Sequence, residues 1–419
     1  MSTPDASHRS LWPLRFISIE AASGVVLLTA AAIALVCANS PLSSAYEALW
    51  HQQLALGVPL LPPRDLRFWV NDGLMTIFFL LVGLEVRREI HDGTLSDRRI
   101  ATLPIIAALG GVVVPALLYI LVGRGSEVAR GWAIPTATDI AFALGVLSLI
   151  GRVPPALRVL LLTLAIADDI AAILVIACFY SGGLLPGQFL LVAAGIALVL
   201  LLQAVGIRTA FAYVLPGALL WLGMLRAGMH PTLAGVVLGL LTPVTADFGL
   251  AARRRAPRSC DSQPVPDAGL PRVPEPPPML RVEAILHPYV AFGIMPLFAF
   301  ANAGVSLGGI DLAAAAPRAV SGGIVLGLVL GKPLGIVLAA LAAVRWKICG
   351  LPQSVRWREL LLLGVLGGIG FTMSMFIANL AFEDPQLLSA AKLGVVAGSA
   401  AAATLGFTLG RSMSRARAS

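Results

Sequence analysis

The chain has 419 residues, of which 58% are hydrophobic and only 12% charged, with a mean hydropathy of +0.88. Soluble globular proteins carry about 25% charged residues, so the composition excludes a soluble fold and points to a polytopic membrane protein. The net charge of +8 calls for no nucleic-acid partner, because the basic residues fall where membrane topology puts them.

A membrane span needs about 20 apolar residues, within roughly 17–25. Twelve stretches meet that requirement, which predicts an all-α polytopic membrane protein forming a single transmembrane domain over 1–419. A polar N-terminus, 1–19, leads into a first span at 20–38; it lacks a convincing small-x-small cleavage pattern and reads as a retained helix. The segment 39–68 follows outside the membrane. Its alternating apolar residues and prolines predict a short hairpin or edge strand. Spans then fall at 69–90, 101–123, 131–150, 157–181, 187–206, 209–226 and 229–247. An Arg- and Pro-rich linker at 248–280 is too poor in apolar residues to fold alone. The remaining spans are 282–304, 319–344, 358–382 and 386–410, before a basic tail at 411–419. The 42 glycines, set against 7% aromatic residues, suit closely packed helices. Cys37, Cys178, Cys260 and Cys349 show neither metal-ligand spacing nor a disulfide framework.

Orientation follows from the Lys/Arg bias of the loops. Of the 30 basic residues, Arg64, Arg67, Arg124, Arg130, Arg226 and Arg318 fall on one side, and Lys332 and Lys392 fall within spans. All the others fall on the opposite side, which the bias makes cytoplasmic, along with both termini.

The span 157–181 carries Asp168 and Asp169 side by side near its middle. Each costs roughly 2.5–3.5 kcal/mol at a helix centre, against about 0.3–0.6 kcal/mol gained per leucine-class residue. Carboxylates kept at that cost mark an ion or proton pathway. Neighbours on a helix point about 100° apart, so one is free to meet a counter-ion while the other faces the pathway. Lys332, alone near the middle of 319–344, is the natural counter-ion, because buried charges are normally paired.

The span 131–150 is interrupted by Pro135-Thr136-Ala137-Thr138-Asp139. Proline removes a backbone donor and clashes with the preceding turn, and non-helical backbone at membrane depth is tolerated where it lines a cavity. A discontinuous helix is predicted, with freed carbonyls and Asp139 helping to hold a cation. The span 358–382 has a matching break at Leu366–Thr372, with glycines at 367, 368 and 370. These breaks lie in the middle members of two three-span groups that run in opposite directions. Corresponding interrupted helices in inverted repeats point to the binding site of a secondary transporter. Carboxylates, hydroxyls and backbone carbonyls suit a hard cation such as Na⁺, and the same carboxylates bind protons. The two then compete for one site, alternating access turns that competition into antiport, and activity rises with pH.

At these residues the chain resembles the NhaA family of sodium/proton antiporters. The resemblance runs over nearly the whole length, including WVNDGLMTIFFLLVGLEVRREI (69–90), GWAIPTATDIAFALGVL (131–147), LAIADDIAAI (164–173), HPTLAGVVLG (230–239), HPYVAFGIMPLFAFANAGVSL (287–307), GKPLGI (331–336) and GGIGFTMSMFIANLAF (367–382). This family is among the proteins from which the inverted-repeat rule was drawn, so that agreement is not an independent one. The resemblance implies that Asp168 and Asp169 form the cation and proton site, that Lys332 pairs with Asp168, and that Thr138 and Asp139 occupy the crossing of two interrupted helices. It further implies electrogenic exchange of Na⁺ or Li⁺ for protons, shut-down at acid pH, a bacterial inner-membrane location, no cofactor, and a homodimer formed through the hairpin after the first span. Glu85, Arg88, Glu89, Glu283 and His287 at the cytoplasmic mouth, and His230 outside, match positions linked to pH response. Asp72 matches a further family acid. The chain departs from the family at Ala284, where some members carry histidine, at Pro62-Pro63 in the hairpin, and in the longer linker.

A sodium-coupled symporter of a small organic solute is the nearest rival reading. It needs groups to hold the solute, and no aromatic or arginine cluster lies inside the spans. An intramembrane aspartic protease would carry a Gly-x-Gly-Asp pattern, which is absent, and the Asp–Lys constellation favours a coupled carrier over an open channel.

Overall fold

The computed structural model describes residues 11–55, 57, 61–123, 125–151, 153–182, 185–207, 209–244, 277–306, 308, 311, 313–352 and 355–418; of 11–21, 98, 126, 186 and 416–418 it describes the backbone alone. The expected linker between 248 and 276, the N-terminal residues 1–10 and Cys260 lie outside the described residues.

The chain is built from helices joined by short connections. In order they are α1 (Leu11–Ala38), α2 (Ser43–Trp50), α3 (Leu66–His91), α4 (Arg98–Val122), α5 (Glu127–Thr136), α6 (Ile140–Leu149), α7 (Pro155–Phe179), α8 (Phe189–Val205) and α9 (Ala210–Ala227). They continue with α10 (Leu233–Leu241), α11 (Pro278–Asn302), α12 (Ala315–Arg345), α13 (Trp357–Gly367), α14 (Phe371–Ala381) and α15 (Pro385–Ala418). Among the described residues, seven helices are long and apolar enough to cross a membrane, and three bent pairs raise the count to ten. Local chemistry sets the ends. Asp97 accepts a hydrogen bond from the backbone of Arg99 at the start of α4, Pro155 opens α7, and Gly206 and Gly228 close α8 and α9 in the left-handed conformation that terminates helices.

Each of the twelve predicted spans holds a helix, but two regions differ from the sequence reading. The stretch 229–247 contains only the nine residues of α10. At 1.5 Å per residue that is about 13.5 Å, under half of a hydrocarbon core of about 30 Å. Pro243 is the reason at one end, since the residue before a proline is driven out of the helical region and Thr242 is extended. The segment 39–68 is more than a hairpin. It holds α2, bent 115° from α1, before the antiparallel pair β1 (Gln53–Leu54) and β2 (Arg64–Asp65), and α3 already begins at Leu66. The helical boundaries also extend past the polar ends: α1 starts at Leu11, α11 takes in residues 278–280 of the expected linker, and α15 runs through the basic tail.

Small residues let the helices approach closely, as the glycine content suggests. Gly110 of α4 faces Gly335 of α12, and a methyl group added at Gly83 of α3 would come within 2.8 Å of the Val236 carbonyl oxygen of α10. The charged residues of the spans lie inside this packing, with Asp139, Asp168, Asp169 and Lys332 all buried.

Candidate ion site at the crossing of two broken helices

α5 and α6 form one span bent by 46° at residues 137–139, and α13 and α14 form another bent by 46° at residues 368–370. The breaks meet: the amide of Asp139 donates to the carbonyl of Ile369 at 2.7 Å. Four helix ends therefore converge in the protein interior. Helix N-termini carry unpaired N–H groups and partial positive charge, and C-termini carry unpaired carbonyls and partial negative charge.

One carboxylate serves both N-termini. Asp139 Oδ1 accepts from the Phe142 amide of α6 at 3.1 Å, while Oδ2 accepts from the Thr372 amide of α14 at 3.1 Å and from the Thr372 hydroxyl. The two C-terminal ends receive donors instead. Lys332 Nζ donates to the Thr136 carbonyl that ends α5, and Thr138 Oγ1 lies 2.8 Å from the Gly367 carbonyl that ends α13. Charge and dipole are thus matched at three of the ends, and the fourth meets a neutral hydroxyl.

The aspartate pair lies beside this crossing on α7. Asp168 Oδ2 is 2.7 Å from Lys332 Nζ and 2.7 Å from Thr138 Oγ1. Lys332 directly follows a π-helical stretch, Gly327–Gly331, a local underwinding that is frequent at functional positions. Asp169 points elsewhere. It lines a cavity of about 70 Å³ with Thr138, Asp139, Glu85, Arg88 and His287. Oδ1 of Asp168 and Oδ1 of Asp169 have no hydrogen-bond partner among the described residues. Buried carboxylate oxygens are nearly always satisfied, so two adjacent unsatisfied ones are acceptors suited to a cation or a proton.

The sequence-predicted residues divide into four groups. Asp168, Asp169, Asp139, Thr138 and Lys332 come together at the crossing. Glu85, Arg88 and His287 line the cavity above it, with Glu283 ion-paired to Arg88. Glu89 turns away: its Oε1 accepts from the Thr94 amide at 2.7 Å and from the Thr94 hydroxyl, which is 2.7 Å from the Thr163 hydroxyl of α7. His230 lies near Asp72, with Nδ1 3.8 Å from Asp72 Oδ1, and does not line the cavity. Sequence reasoning missed Thr372, whose place at the very start of the second half-helix was the available signal. It also missed a polar cluster of Asn71, Asn302, Asn379 and Lys392.

The family profile described as Na⁺/H⁺ antiporter 1 matches residues 14–409. The chain belongs to that family. A protein of Pseudomonas putida named Na⁺/H⁺ antiporter NhaA 2 is 54% identical over 415 residues, covering 94% of this chain and 92% of that protein. One from Cupriavidus necator named Na⁺/H⁺ antiporter NhaA is 54% identical over 421 residues, covering 96% and 90%. A solved sodium proton antiporter from Methanocaldococcus jannaschii superposes only loosely, with a TM-score of 0.49 at 14% identity over 96% of this chain and 98% of that one.

Proposed function

We propose that this chain is an electrogenic, pH-regulated secondary antiporter of a bacterial inner membrane, expelling Na⁺ or Li⁺ in exchange for protons by alternating access. The observation that carries the reading is the division of labour between adjacent aspartates: Asp168 is bonded to Lys332 while Asp169 opens on the cavity. Family membership and the names of the close relatives support the same exchange.

Hard cations take oxygen ligands. A Na⁺ ion that enters past Glu85 and Arg88 meets Asp169 first, with the free oxygen of Asp168 and the Thr138 hydroxyl close by. Binding gives Asp168 a second counter-charge, which loosens its hold on Lys332 and favours loss of a proton from the ammonium. On the return leg Asp169 and the Lys332–Asp168 pair take up protons, so two proton-carrying groups work against one monovalent ion and net charge moves. Asp139 stays in place as the fixed counter-charge of the two helix N-termini. The mouth residues Glu85, Arg88, Glu283 and His287 form the pH-responsive set, with Glu89 and His230 acting at a distance from the cavity. Both termini lie in the cytoplasm, and the β1–β2 hairpin joins two copies in a homodimer embedded in lipid.

The test is cation-driven dequenching of a pH dye in proteoliposomes, from neutral to alkaline pH, with Na⁺, Li⁺, K⁺ and choline. Na⁺ and Li⁺ are expected to move protons in the wild type and not in Asp169→Asn. Equal transport by the variant overturns the assignment of Asp169, and an inserted wild type that moves no protons overturns antiport.

A further inference from the structure

Away from the cavity, the crossing is closed by two successive layers. Met295 of α11 and Met373 of α14 line the cavity itself. One turn further along each helix stand Phe298 and Phe376, and Phe376 also meets Phe79 of α3; all three are buried, with ring centroids 5.2 Å apart for Phe79 and Phe376 and 6.3 Å for Phe298 and Phe376. The next turn on each helix brings Asn302 and Asn379. Asn302 Nδ2 donates to Asn71 Oδ1 of α3 at 2.7 Å, and Asn379 Nδ2 donates to Asn302 Oδ1 at 2.9 Å. Lys392 of α15 completes the layer, its Nζ 3.4 Å from the same Asn302 oxygen.

Four helices from distant parts of the chain are thus tied together through one asparagine. Asn302 and Lys392 are both buried. Among the described residues Lys392 forms no ion pair, although Arg67 and Glu47 act on it through space. It differs in this from Lys332, which has its aspartate. A charged side chain held in a span without a carboxylate partner is costly and marks a functional position. A buried amide network is stable only while its members stay together, and Asn71 itself sits in a π-helical stretch, Trp69–Leu74, a form frequent at functional sites.

We propose that Asn71, Asn302, Asn379 and Lys392 form the closed gate on the far side of the ion path. The ammonium of Lys392 sits against one of the amide oxygens, that of Asn302, where a cation would, which keeps Na⁺ from entering by that side. Parting of α3, α11 and α14 releases the lysine and frees those oxygens as passing ligands for the departing ion. The inference rests on the antiport reading for the identity of that ion.

The experiment uses the full chain in membranes, with its four native cysteines replaced by serine and one reporter, Ala299→Cys, one turn inward from Asn302. Reaction with a membrane-impermeant thiol reagent, added from the side that carries α2, reads the gate without any transport. Lys392→Gln is expected to speed labelling by about tenfold or more, as a shift of an open–closed equilibrium of that size implies, and Lys392→Arg to restore protection. In proteoliposomes the same Lys392→Gln is expected to raise Na⁺ leak uncoupled from protons. Should that variant not reach the membrane, Asn379→Ala, which removes one amide bond and keeps the lysine, is read in the same way and is expected to speed labelling. Unchanged labelling in a folded variant overturns the gate. Faster labelling in a chain that performs no antiport keeps the gate and overturns the ion assigned to it.

Discussion

Lys332 Nζ lies 2.7 Å from Asp168 Oδ2, and both side chains are fully shut off from solvent. The pair joins α7 to α12 beside the crossing. Removing one member leaves the other charged and alone, which costs about 3–5 kcal/mol for a buried pair. Lys332→Ala is therefore expected to lower the thermal-aggregation midpoint sharply in detergent. Adding Asp168→Asn to that background removes the stranded charge and is expected to recover part of the loss. A double variant no more stable than Lys332→Ala would show that the two residues are not energetically coupled.

Asp139 presents a different balance, because one carboxylate caps two half-helices. Asparagine is as good an N-cap as aspartate, whereas alanine loses about 0.5–2 kcal/mol per cap. Asp139→Asn keeps one acceptor oxygen and turns an NH₂ donor towards the other half-helix, so it is expected to lose stability at one end as well as the charge that balances two helix N-termini. Asp139→Ala is expected to lose stability at both ends. Thermal midpoints measured together with Na⁺-driven proton flux separate the effects: an asparagine variant more stable than the alanine variant but with flux as low assigns the charge to transport beyond its part in folding.

The Glu89–Thr94–Thr163 chain links the connection after α3 to the aspartate helix six residues before Asp169. Thr163→Val deletes the hydroxyl that receives this link and keeps the shape of the side chain. A lost hydrogen bond of this kind is worth about 1 kcal/mol, so the whole protein stays folded while the connection loosens. Faster amide hydrogen exchange at residues 93–97, with exchange in α12 unchanged, is the expected result. No change at 93–97 would mean that the Glu89–Thr94 contacts hold the loop without α7.

The candidate ion site was legible in the sequence because charges in apolar spans are expensive and therefore conspicuous. Asp168, Asp169 and Lys332 each interrupt a long apolar run, and Pro135 and the glycines at 367–370 announce the two breaks. What those residues do to one another was only partly legible. That Asp139 caps both half-helices depends on Thr372 arriving at the right height from a segment more than two hundred residues away. The asparagines at 71, 302 and 379 were silent for a related reason. Each is the single asparagine of its own span, and only the fold brings them together beside Lys392. The shortness of α10 was hidden because hydropathy responds to composition, and the stretch stays apolar across the point where Pro243 ends the helix.

The proposed competition between Na⁺ and protons at Asp168 and Asp169 has a definite sign. Lowering the pH protonates the carboxylates that hold the ion, so the Na⁺ concentration needed for half-maximal exchange must rise as pH falls. The maximal rate at saturating Na⁺ falls much less. By linkage, each proton displaced by a bound ion adds about one tenfold increase in apparent KM per pH unit. A plot of log KM against pH is expected to be a falling line, with a slope near −1 where one proton is displaced and steeper where Asp169 and the Lys332–Asp168 pair both give one up. It flattens at alkaline pH, where the site is already unprotonated. Measuring initial rates of Na⁺-driven proton flux over a matrix of Na⁺ concentration and pH gives this slope directly. A KM independent of pH, with only the maximal rate changing, would mean that protons act at the mouth residues and do not share the aspartates with the ion.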